Sequence, residues 1–124
     1  MNSAILIIDH GSRRNDANEL LPEIVRMVRS MSDFKIIHFA HMELAEPTIQ
    51  QGFDACVADG ADQVIVHPYF LGPGRHSRSD IPRLVAQAAA KHQHVHFLIT
   101  EPLGIHAKIG ELILERVREA SHRP

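Results

Sequence analysis

A chain of 124 residues can bury one hydrophobic core but not two, so residues 1–124 are read as a single domain. Hydrophobic side chains at 44% and charged ones at 23% exclude a disordered segment, and a single cysteine, Cys56, excludes a disulfide scaffold or a thiolate-built metal centre. Thirteen basic against fifteen acidic side chains argue against nucleic acid as a partner. No apolar run approaches the ~20 residues of a membrane span, and the Met1-Asn2-Ser3 start lacks a basic secretory region, so a cytoplasmic protein without a membrane partner is expected. Ten histidines are the unusual number.

Four β-rich runs are predicted at 4–8, 35–40, 64–67 and 95–99. Their starts are spaced about thirty residues apart, the length of a strand plus a crossover helix. The first run is continuously apolar, as in a parallel strand covered on both faces. Between the first two, Leu20, Leu21, Ile24, Val25 and Val28 form a helical stripe that Pro22 interrupts, so this helix either starts near Asn18 or is kinked. Next come Ile49, Gly52, Phe53, Cys56 and Val57, opened by Pro47 and closed by Gly60. Ile81, Leu84, Val85, Ala88 and Ala89 predict a third helix capped by Ser79 or Asp80, with Pro82 in its first turn. Ile105, Ile109, Leu112, Ile113 and Val117 predict the last. Strictly alternating strands and helices imply an α/β fold, flavodoxin-like in winding, with a four-stranded parallel sheet and helices on both faces.

Sheets of this kind bind ligands beyond the carboxyl ends of their strands, so the loops there carry the functional reading. They hold Asp9-His10-Gly11-Ser12-Arg13-Arg14, then His41 to Glu46, then Tyr69-Phe70-Leu71-Gly72-Pro73-Gly74-Arg75-His76-Ser77-Arg78, then Glu101 to His106. Imidazoles and carboxylates at one edge suit a divalent transition metal. The arginine pairs beside His10 and His76 are either solvated loop charges or a rim for a polyanion. Glu43 and Glu46 read equally as helix-entry charges, and Gly72 and Gly74 as plain turn residues. His92, His94 and His96 look metal-like by spacing, but they enter the fourth strand from its amino end, the opposite edge from His10, and are assigned a solvated or interfacial role. His38 and His67 read as packed, and His41 and His106 as weaker candidates for extra ligands.

Asp9-His10-Gly11-Ser12-Arg13 after an apolar strand, joined to Phe70-Leu71-Gly72-Pro73-Gly74-Arg75-His76 and Asp80-Ile81-Pro82, resembles the small sirohydrochlorin chelatases of the CbiX type. The segment from Glu43 to Pro47 and Pro102-Leu103-Gly104 also fit, so the likeness spans nearly the whole chain. The departures are Asp9, where a small residue is commoner, and His67 before Pro68. The resemblance implies an enzyme that inserts a divalent metal into the tetrapyrrole sirohydrochlorin for sirohaem or cobalamin. It maps His10 and His76 onto the family's metal-handling histidines and implies a homodimer of single modules.

That chemistry suits these residues. Sirohydrochlorin is a flat macrocycle with eight carboxylates, so its site needs a cationic rim and an open apolar slot. Arg13, Arg14, Arg75 and Arg78 are candidates for the rim, Tyr69, Phe70 and Leu71 for part of the slot, and Ser12, Gly74 and Ser77 for further substrate contacts. Metal insertion exchanges two pyrrole protons for one M²⁺, and neutral histidines can hold an ion loosely and accept protons. Glu43 is an auxiliary ligand or proton acceptor. No permanent cofactor is expected; Fe²⁺, Co²⁺ or Ni²⁺ enters as substrate. The rival from a non-enzyme class is a metal or tetrapyrrole carrier module. A phosphohistidine phosphatase fits poorly, because Asp9 before His10 would repel a phosphate.

Overall fold

The computed structural model describes residues 1–122, with residues 75–78 described by their backbone alone. The elements are β1 (Ser3–Asp9), α1 (Asn15–Asn18), α2 (Leu20–Met31), β2 (Ile36–His41), α3 (Ile49–Ala58), β3 (Gln63–Pro68), α4 (Arg75–Ala89), β4 (His96–Ile99) and α5 (Ala107–Ser121). The four strands form one all-parallel sheet in the order β2-β1-β3-β4. β1 is central, and its two sets of side chains go to two cores. Ala4, Leu6 and Ile8 pack with Phe53 and Cys56 of α3 and with Ile81 and Val85 of α4. Ile7 packs on the other face with Leu21 and Val25 of α2. This two-sided burial is why the first strand reads as an unbroken apolar run.

The chain winds from β1 to β2 on one side and then returns to β3 on the other, so the strand order reverses between β1 and β3. The crevice at such a reversal is where doubly wound sheets bind ligands. It lies between the loop that follows β1 and the loop that follows β3.

A start near Asn18 holds for the long first helix, and two other helix readings need correction. The first helix is two pieces: α1 ends at Asn18, and α2 begins at Leu20, so Pro22 falls in a first turn, where its missing N–H costs nothing. α4 begins at Arg75 rather than after Ser79 or Asp80, so Pro82 is an interior proline and not a first-turn one. The polar residues at 79 and 80 mimic a cap, whereas the Gly72-Pro73-Gly74 run upstream is the stop that operates. Ile105 lies outside α5, because the His106 Nδ1 accepts the Lys108 N–H and caps the helix after it. Among the described residues, no helix is long and apolar enough to cross a membrane.

Candidate active site at the carboxyl edge of the sheet

β1 ends at Asp9 and β2 at His41, and the two are direct partners in the parallel register. Their side chains meet: His41 Nδ1 and Asp9 Oδ1 are 2.6 Å apart, and His41 is only 1% exposed. The same Asp9 oxygen accepts the Gly11 N–H at 3.0 Å, so one carboxylate holds both a buried imidazole and the turn that carries His10. Gly11 has φ +85°, and a Cβ there would lie 1.9 Å from the Glu43 carbonyl oxygen, so no other residue fits this turn.

The loops after β1 and β2 stay paired beyond the sheet. The Met42 N–H donates to the Asp9 carbonyl at 2.9 Å and the Glu43 N–H to the His10 carbonyl at 3.0 Å. Glu43 is thereby fixed beside His10, and both side chains are exposed. Leu44, next in the loop, has φ +68°, a left-handed conformation that a side chain of its size adopts only under constraint. Downstream, Thr48 and Gln51 form a reciprocal capping box on α3, and Glu46 accepts the Gln51 amide at 2.9 Å. Glu46 is therefore a helix-entry group, as one of its readings had it.

From the other side of the crevice, the His10 ring rests on Phe70, with centroids 4.2 Å apart and a 37° tilt. The Tyr69 N–H donates to the Ile8 carbonyl, extending the β1–β3 pairing into the loop. A cavity of 270 Å³ opens there, lined by Asp9, His10, Gly11, Ser12, Tyr69 and Phe70 among others. Phe70 also borders a 440 Å³ cavity with Pro68, Pro73, Pro82, Ile99 and Pro102, and Leu71 is 76% exposed at the rim. Openings thus lie on both sides of Phe70, and polar residues line each of them, Thr100 and Glu101 in the larger and Asp9 and His10 in the smaller.

The cations differ in their freedom. Arg14 pairs with Asp16 at 2.9 Å, both side chains exposed, whereas Arg13 lines a 330 Å³ cleft with Ser12, His41 and Glu46. Ser12 is used locally: its Oγ accepts the Arg14 N–H, and its backbone is clasped by the Asn18 amide at 2.9 and 2.8 Å. Gly74 ends the exposed loop before α4. The assignments to Arg75, His76, Ser77 and Arg78 fall on side chains outside the described residues. Among the described residues, no three histidine, cysteine, aspartate or glutamate side chains converge to hold a metal ion.

Two other histidines, His92 and His38, are engaged away from this edge. His92 pairs with Asp54 at 2.7 Å and stacks on Phe53, and the Asp54 carboxyl is held below its ordinary value: burial works against this, but hydrogen bonds from His92 and Gln50 and the charges of His92 and Lys91 outweigh it. His38 pairs with Asp59 at 2.7 Å. His67 bonds Thr100 at 2.8 Å, and burial pushes its ring below the usual imidazole value. Cys56 is buried and its thiol is pushed up to about 12, mainly by burial, so it is no nucleophile. The Asp9–His41 pair is the feature that sequence reasoning did not find. Its signal lies in the register, since each residue is the last of its strand and the two strands are neighbours.

Comparison with known proteins agrees with this geometry. The CbiX family model matches residues 4–120. The chain is 46% identical over 114 residues to the chloroplastic sirohydrochlorin ferrochelatase of Arabidopsis thaliana, covering 92% of this chain and 51% of that protein. Among solved structures, a CbiX protein from Marinobacter aquaeolei superposes with a TM-score of 0.83 at 29% identity, over 98% of this chain and 99% of that one. The sirohydrochlorin chelatase SirB from Bacillus subtilis in complex with cobalt gives 0.89 at 30% identity, over 96% of this chain and 51% of that one. The chain thus spans about half the length of the Arabidopsis and Bacillus proteins and nearly all of the Marinobacter one. With residues 4–120, nearly the whole chain, matched by that family model, this chain belongs to the CbiX family.

Proposed function

We propose that the chain is a sirohydrochlorin chelatase that inserts a divalent metal, Fe²⁺ or Co²⁺ with Ni²⁺ as a further candidate, into sirohydrochlorin. The observation that carries this reading is the crevice at the strand-order reversal, where His10 stands over Phe70 with Glu43 tied to its backbone. Metal is a substrate here and must be surrendered to four pyrrole nitrogens. A few exposed donors suit that task better than a closed cage. His10, with His76, holds the ion and takes up a pyrrole proton as it leaves; Glu43 assists as a second acceptor. Arg13 and the arginines at 75 and 78 meet the macrocycle's carboxylates, and the surfaces around Phe70 take its apolar face. The Arabidopsis relative is named a ferrochelatase and the Bacillus structure holds cobalt, which supports iron and cobalt alike. We place the activity in the cytoplasm, where a water-soluble polyanion is at hand, and assign it to a homodimer.

The test is anaerobic incubation of protein, sirohydrochlorin and metal, followed by absorption, since insertion changes the spectrum of the macrocycle. Wild-type protein should accelerate the change over metal and tetrapyrrole alone. His10→Ala and His76→Ala should each lower the rate on the order of 100-fold or more, the scale of a lost acid–base group, while the melting temperature of His10→Ala stays near wild type because its ring is exposed. Binding without accelerated insertion would instead identify a carrier.

A further inference from the structure

Among the described residues, one polar side chain is fully enclosed, and it is His41. It ends β2 beside Asp9 and turns a ring edge to Phe39, with centroids 5.8 Å apart. An imidazole is buried without penalty only when its N–H finds a partner, and an apolar side chain would fill the same place at less cost. The fold alone does not require such a pair. The Asp9 Oδ1 that meets His41 also accepts the Gly11 N–H, so this oxygen is an acceptor and the His41 Nδ1–H donates to it.

Two ties lead away from that bond. Toward β1, the Gly11 N–H and the Asp9 carboxylate close an Asx turn in which His10 is the middle residue. Toward β2, the His41 N–H donates to the Pro47 carbonyl at 2.8 Å and His41 bridges Thr48, which closes the base of the loop carrying Glu43. Thr48 is itself the cap of α3. An unbroken series of bonds thus runs from the start of α3 through His41 and Asp9 to the turn around His10. The backbone bonds between the two loops keep the chains in register, whereas the Asx turn sets where the His10 ring is aimed, against Phe70.

We propose that Asp9 and His41 are positioning residues for metal insertion: the pair fixes the His10 ring relative to the Glu43 loop, and His41 acts through Asp9 without binding the ion. This rests on the chelatase reading above. Passing an ion to the pyrrole nitrogens while a proton leaves makes the rate depend on His10 and Glu43 being placed together, and a misplacement of ~1 Å can cost about 100-fold. Binding of the macrocycle depends on other groups, the arginines and the surfaces around Phe70. Loss of the pair therefore slows insertion and leaves KM for the tetrapyrrole nearly unchanged.

His41→Phe keeps a buried ring but offers no N–H, and Asp9, which is partly exposed, turns to water instead. Asp9→Ser is the complementary variant: its hydroxyl still accepts the Gly11 N–H but is too short to reach the His41 ring. Each should lower kcat roughly 10-fold or more with KM within about twofold of wild type. His41→Asn sets an amide N–H close to the place of Nδ1 and should recover most of the rate. Either broken variant carries the comparison if the other does not fold. A second readout needs no catalysis. In proton NMR of the protein alone, the His10 ring signals, identified by their loss in His10→Ala, should lie upfield under the ring current of Phe70. That shift should shrink in His41→Phe and Asp9→Ser and return in His41→Asn. Wild-type rate and unchanged His10 signals in the broken variants, a loss that His41→Asn does not recover, or a raised KM with kcat intact would each overturn the proposal. If wild type inserts no metal while the His10 signals respond as expected, the chelatase reading falls and the placing of His10 by the pair stands.

Discussion

Asp9 is the residue on which the site's geometry converges. Its Oδ1 partners both the nearly inaccessible His41 ring and the Gly11 N–H, so removing it strands two polar groups at once. Asp9→Ala should therefore destabilise the protein by about 1–3 kcal/mol, measured by urea denaturation. Asp9→Asn retains an acceptor oxygen and should cost less than half as much. The ordering of the two, more than either value, distinguishes a hydrogen-bonded anchor from a packing residue. His10, Glu43 and Phe70 were legible in the sequence because each follows a recognisable strand and brings its own chemistry. The Asp9–His41 pair was not, since it joins positions far apart in the chain through a register that only the assembled sheet defines. The same blindness made His41 look like a spare ligand. Arg14 carries a feature that a count of basic residues overlooks: it pairs with Asp16, two residues on, with both side chains exposed.

At the level of elements, α3 is the one whose beginning bears on the site, because it starts directly after the loop that carries Glu43. The Thr48 hydroxyl accepts the Gln51 N–H, and the Gln51 side chain accepts the Thr48 N–H in return. Thr48→Ala should cost about 1 kcal/mol in denaturation, and Gln51→Ala should lose the return bond together with the tether to Glu46. Strands were the readiest elements to read, because β1, β2 and β3 carry the β-branched density that two-sided burial demands. Helix starts were the hardest. Pro22 and Pro82 pose the same question to a sequence reader but have opposite answers, one in a first turn and the other well inside a helix. What separates them is how far upstream the chain is already helical, which depends on packing. The stripe of α5 was read correctly as amphipathic, but no pattern within one chain says which surface it was made for.

Across the whole molecule, titration couples to stability through His67, beside the crevice, and Asp54, remote from it. His67 has its folded value pushed below the ordinary 6.5 by burial, so the unfolded chain binds a proton there more readily than the folded one. Stability should thus fall as pH drops below that ordinary value. Asp54, also lowered, adds to the loss further down, as pH falls below 3.8 toward its folded value. Melting temperatures between pH 8 and pH 5 should decline for wild type and decline less for His67→Gln; identical profiles would remove His67 from the account. The pairing of the β1 and β2 loops beyond the sheet has a consequence of another kind, for how such a protein can vary in length. Because the Met42 and Glu43 amides read the Asp9 and His10 carbonyls residue by residue, and Gly11 fits against the Glu43 carbonyl, an inserted or deleted residue in either loop would slip one strand end past the other. Such changes are open to the chain only as matched pairs, one in each loop, or at places where the backbone is not read by a neighbour, such as the turn at Gly60 or the exposed stretch around Gly72. The edge that carries His10 is thus the part of the molecule least free to change its length.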